Sequence, residues 1–142
     1  MKPKEYLLQV QKLDEMINER KVEKSELKKF DGVSAIDYSG DKVQSSPKGD
    51  APFTKSVERI IDLEKEIDEM IDRFVDLKHQ IINEIQSLSN DTYMKILFKK
   101  YIEYKRLEVI AVELGYSYQY VRVMHGYALQ EFEKAVLKVS TQ

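Results

Sequence analysis

Residues 106–136 read RLEVIAVELGYSYQYVRVMHGYALQEFEKAV, and this stretch decides how the C-terminal part folds. Ile110, Ala111 and Leu114 line one side of a short helix that Gly115 ends, because glycine tolerates the left-handed backbone of a tight turn. Ser117 suits the cap of a second helix, over about residues 117–134, whose inward face is Val121, Met124, Ala128, Leu129 and Phe132. The spacing is that of a helix-turn-helix: small Ala111 where the helices cross, Gly115 in the turn, then Val121 and Met124 on the buried face. The opposite face carries Tyr118, Gln119, Arg122, Val123 and Gly126. In a helix-turn-helix that face enters the major groove, led by its N-terminal residues. Ser117, Tyr118, Gln119, Tyr120, Arg122 and Val123 are therefore the candidate DNA-binding residues of the second helix. Lys105 and Arg106, which open the first helix behind Lys99 and Lys100, are candidate phosphate contacts.

Upstream, the pattern changes to long amphipathic helices. A heptad seam places Ile60, Ile67, Phe74, Ile81 and Leu88 at a positions and Leu63, Met70 and Leu77 at d, with Glu84 breaking the d series. Thr54 or Ser56 is the expected cap of this helix. Tyr6, Val10, Leu13, Ile17, Leu27 and Phe30 recur at three- and four-residue steps, so a first helix is expected over about residues 4–29. Gly, Ser, Asp and Pro crowd residues 31–53, which read as a long loop. The expected fold is all-α: residues 1–90 as an antiparallel, coiled-coil-like hairpin and residues 91–142 as a helix-turn-helix domain. Arg20 and Lys24 interrupt the seam of the first helix, whereas Ile61, Ile71, Val75, Ile82 and Ile85 widen that of the second. This apolar excess predicts packing on the C-terminal part or homo-oligomerisation through the N-terminal helices.

Composition narrows the function. The 142 residues carry 23 Lys+Arg against 25 Asp+Glu, a net charge of -2. The balance hides an asymmetry: residues 57–91 hold 4 basic and 10 acidic groups, and residues 92–142 hold 8 basic and 5 acidic, a basic C-terminal third. With no Cys and two His, neither a disulfide scaffold nor a metal centre is expected. No phosphate loop, nucleotide fingerprint or catalytic triad stands out, so neither a cofactor nor an enzyme activity is expected. No apolar run reaches the roughly 18 residues of a membrane span, and a cytoplasmic protein is expected. His125 borders the buried face and reads as packed, His79 as solvated, and Tyr101 and Tyr127 as packing residues.

The segment IAVELGYSYQYVRVMHGYALQEF resembles region 4 of bacterial primary sigma factors, a promoter-reading module. More closely, YIEYKRLEVIAVELGYSYQYVRVMHGYAL resembles the RinA/ArpU-type phage transcriptional regulators, through Tyr101-Ile102 and His125-Gly126-x-Ala128-Leu129. The resemblance implies a prophage-borne, sequence-specific regulator of transcription that binds double-stranded promoter DNA, with host RNA polymerase as a further partner. Sigma factors carry several basic residues at the start of this helix. Here Tyr118 and Tyr120 stand there, only Arg122 is basic, and Val123 replaces a polar residue. The alternative reading is a helical interaction module of phage assembly or packaging, in which the acidic rod binds a protein partner and DNA is not bound.

Overall fold

The structure is a computed structural model and describes residues 1–30 and 50–138. Among these residues it is helical throughout and holds no strand. Helix α1 spans Pro3–Phe30 and α2 spans Asp50–Gln86. Helix α3, Asp91–Leu97, runs into a π turn at Phe98–Ile102. Helix α4 is Leu107–Leu114, and α5, Tyr118–Phe132, ends in a second π turn at Glu133–Leu137. None of the described helices is long and apolar enough to cross a membrane. Most of the expected loop, residues 31–49, lies outside the described residues, as do residues 139–142. Its last part is corrected, because α2 already begins at Asp50 and Thr54 and Ser56 lie inside the helix instead of capping it. Pro52 is no obstacle there, since the N–H it lacks has no partner in a first turn.

The chain divides into two compact units, Glu15–Arg73 and Met1–Asp14 with Phe74–Gln142. In the first, Ile17, Ile60, Leu63, Ile67 and Met70 are buried, so the a and d positions of the heptad do face inward. The two cations that interrupt the α1 seam are matched by acids of α2. Arg20 Nη1 lies 3.5 Å from Glu66 Oε1, and Lys24 Nζ lies 3.2 Å from Glu64 Oε2. These pairs are largely exposed and contribute about 0–1 kcal/mol each. They match the two helices by charge where apolar contact gives out.

In the second unit, Leu7 and Val10 of α1, Ile81 and Ile85 of α2, Leu88, Leu97, Tyr101, Ile102, Ala128 and Phe132 form one core. The stripe beginning at Tyr6 leaves out Leu7, which is fully buried, while Tyr6 itself is only partly covered. Tyr6 has another role: its hydroxyl donates to Glu84 Oε1 at 2.5 Å, and Gln80 Nε2 donates to the same hydroxyl oxygen at 3.0 Å. The break in the heptad is thus a cross-helix hydrogen bond, and burial with the Glu84 carboxylate pushes the Tyr6 phenol up to about 12. The wider π turn brings the neighbours Tyr101 and Ile102 both into the core. Tyr104 follows with a left-handed φ of 59°, and its hydroxyl donates to Asp14 Oδ2 at 2.9 Å, tying this strained corner to α1.

The surplus apolar residues of α2 have separate fates. Ile85 is fully buried, Ile82 packs on the core of the second unit, and Ile61 and Val75 remain exposed. No division of the packing falls at residue 90, since Ile81, Ile85 and Leu88 share their core with Leu97 and Phe132. Asn90 instead caps α3, its side chain accepting from the Tyr93 N–H at 3.0 Å.

Because Leu7 sits in the core that holds α5, Leu7→Ala should destabilise the fold by about 2–5 kcal/mol in a denaturant titration. It should also speed amide exchange in α3 and α5. Unchanged exchange in those helices would show that they fold independently of α1.

Candidate nucleic-acid interface

Helices α4 and α5 are joined by a short turn with distinct backbone signals. Gly115 ends α4 at φ 77°, ψ 28°, and the Tyr116 N–H returns to the Ala111 carbonyl at 2.9 Å. A side chain at position 115 would meet no clash, so the glycine is required by its dihedral angle and not by space. Ser117 then caps α5, its Oγ accepting from the Tyr120 N–H at 3.1 Å. Ile110 and Ala111 of α4 and Val121 of α5 pack into a second small core with Ile96 of α3. Leu107, Leu114 and Met124 cover its edge. The contribution of Ile96 has no counterpart in the sequence reading.

Burying Val121, Ala128 and Phe132 turns the other side of α5 outward. Tyr118, Gln119, Arg122, Val123 and Gly126 are all exposed there, with Tyr118 at 45% and Val123 at 48%. Ser117 is exposed too, but its hydroxyl is engaged as the cap. Tyr120 leans back on Tyr116, ring centroids 4.7 Å apart, and so belongs to the turn as much as to the face. Arg122 Nη2 donates to Gln119 Oε1 at 3.3 Å, and among the described residues no carboxylate pairs with this guanidinium. Tyr127, expected to pack, is 51% exposed. It lies six residues past Val121, too far round the helix to share its buried side.

Lys105 and Arg106 enter different environments. Lys105 Nζ lies 2.7 Å from Glu113 Oε2 and 3.1 Å from Glu103 Oε1, while Lys99 Nζ lies 2.8 Å from Glu113 Oε1. Two cations and two carboxylates thus form one neutral cluster. Hydrogen bonds from Lys105 and then Lys99 hold the Glu113 carboxyl below its usual range, and Glu113 in turn raises Lys105. Arg106 is far more exposed and, among the described residues, reaches only Glu108, at 3.9 Å. The structure therefore leaves Arg106 and Arg122 less committed than the lysines. A cavity of about 220 Å³ lined by Met94, Phe98, Gln86 and Lys95 ends on the same Lys99 and Glu103. Among the described residues no group of acids and histidines is arranged to hold a metal ion.

His125 is packed, as expected, and has a partner no sequence pattern indicates. The Tyr101 hydroxyl lies 2.8 Å from His125 Nε2, with the rings stacked at 5.7 Å. Burial pushes the imidazole down to about 4, and Lys100 and Lys4 push the same way. At neutral pH the ring is therefore uncharged, and His125 supplies no positive charge to a phosphate.

This pair predicts a pH dependence of stability. The folded state resists protonating His125, whereas the unfolded chain binds that proton near pH 6.5, so stability should fall as pH drops from about 6.5 to about 4. His125→Gln keeps an acceptor for Tyr101 but does not titrate in this window. Its denaturant midpoint should fall less over that pH range than that of the unaltered protein, and parallel profiles would contradict the assignment.

No protein-family model matches this chain, and no curated protein or solved structure matches it either.

Proposed function

We propose that this protein is a sequence-specific DNA-binding regulator of transcription of the phage or prophage type. In this reading α4 and α5 are a helix-turn-helix like sigma factor region 4, and α5 lies in the major groove of promoter DNA. Helices α1 and α2 act as an antiparallel hairpin that self-associates through exposed apolar residues such as Ile61 and Val75. The protein works in the cytoplasm and has host RNA polymerase as a further partner. It has no enzymatic role and needs no cofactor.

The observation that carries the proposal is the outward face of α5. It presents one guanidinium, one carboxamide and several aromatic or aliphatic side chains within about one and a half turns of a capped N-terminus. Arg122 is suited to donate two hydrogen bonds to guanine O6 and N7, and Gln119 to pair with adenine once their mutual 3.3 Å bond opens. The neutral cluster of Lys99, Lys105, Glu103 and Glu113 favours the second reading, a protein-interaction module, because it removes two cations from the phosphate-binding count.

A binding titration of duplex DNA against salt separates the two. DNA binding predicts affinity that falls as salt rises, and an interaction module predicts no binding of duplex at any salt. On a selected site, Arg122→Ala should cost about 1–3 kcal/mol and relax preference at one base pair. Lys105→Ala should weaken selected and random duplex alike and lower the salt slope by about one unit, if Glu113 yields the lysine to phosphate on binding. Equal losses on both DNAs for Arg122→Ala would refute base readout by that residue.

A further inference from the structure

Gly126 lies in the interior of α5, on its exposed side, and the fold gives no reason for a glycine there. Its φ is ordinary for a helix, and a Cβ built on it meets nothing within 4 Å. Glycine is nonetheless among the poorest helix formers, so alanine would suit the isolated chain better. Gly115 makes the contrast plain, since its left-handed φ accounts for it fully. Beside Gly126 stands Val123, three residues back and therefore adjacent on the helix surface. Val123 is 48% exposed and belongs to neither buried cluster. Arg122, one turn before Gly126, borders the same spot with a guanidinium that no carboxylate neutralises among the described residues.

A bare stretch of helix, a branched apolar side chain and an uncompensated cation side by side suit a polyanion that also offers an apolar group. Duplex DNA offers one such group in the major groove, the C5 methyl of thymine. We propose that Gly126 and Val123 form the seat of a thymine methyl. Gly126 lets the helix approach the groove floor without a side chain in the way, and the Val123 methyls cover the thymine methyl. This rests on the DNA-binding reading and adds to it a specificity: the preferred site holds a thymine next to the base pair that Arg122 reads.

The test uses the full chain and a selected duplex in which each thymine is replaced in turn by deoxyuridine, which lacks only the methyl. One replacement should weaken binding about fourfold, the worth of one buried methyl group. Val123→Ala should bind the thymine and uracil duplexes equally. Gly126→Ala should raise the unfolding midpoint by about 2–6 °C while weakening binding to the thymine duplex. Opposite signs of stability and affinity are what a structural role for this glycine would not produce. Binding that no uracil replacement alters, or a Gly126→Ala variant that gains stability and keeps its affinity, overturns the proposal and leaves DNA binding standing. A protein that binds no duplex overturns both.

Discussion

Phe132 and Ala128 of α5 are packed against Leu7 and Val10 of α1 and Ile81 and Ile85 of α2, and the remaining features of the C-terminal part follow from that contact. A helix with 3.6 residues per turn has one orientation once such a stripe is buried. Val121, about two turns before Ala128, is drawn into the smaller core with Ile110 and Ala111, which sets the angle between α4 and α5. Tyr118, Gln119, Arg122, Val123 and Gly126 face outward because no other side of α5 remains. The proposed reading face is thus a consequence of burial elsewhere, and the ends of the long helices are part of the scaffold that presents it.

Electrostatics then decide which cations of this region are available. Glu113 sits in the last turn of α4 and draws in both Lys99 and Lys105, so the local excess of positive charge in the sequence is smaller in space than in the count. His125 contributes no charge either, because its burial beside Tyr101 keeps it neutral. Among the described residues, the guanidiniums of Arg122 and Arg106 are less tied to carboxylates than Lys99 and Lys105 are. On the proposed reading, a face with one guanidinium and several apolar side chains relies more on base edges and methyl groups than on phosphate, which implies modest affinity for random duplex.

Much of this was legible in the chain because its signals are periodic or local. The heptads from Ile60 to Leu88 mark buried positions, Gly115 announces the turn, and Ser117 announces the cap. What was not legible depends on partners distant in sequence. Leu7 is buried in a core that it shares with Phe132, far along the chain, and Tyr6 meets Glu84 across 78 residues. Tyr101 and His125 pair across 24, a contact for which no spacing rule exists. Lys105 looked like a phosphate contact because basic residues near a helix start commonly are. Its capture by Glu113, eight residues on, depends on how the chain turns at Tyr104. The start of α2 at Asp50 was missed for another reason: Pro and Gly density suggested a loop, yet Pro52 is compatible with a first helical turn.

The outward side of α5, held by the core around Phe132, is the surface proposed to meet DNA. Amide hydrogen exchange of the full chain, with and without a saturating selected duplex, tests it most directly. Slower exchange is expected at the turn and the first turns of α5, about residues 116–127, with the Glu15–Arg73 unit unchanged. Protection confined to the acidic stretch of α2, with α5 exchanging as before, would contradict it.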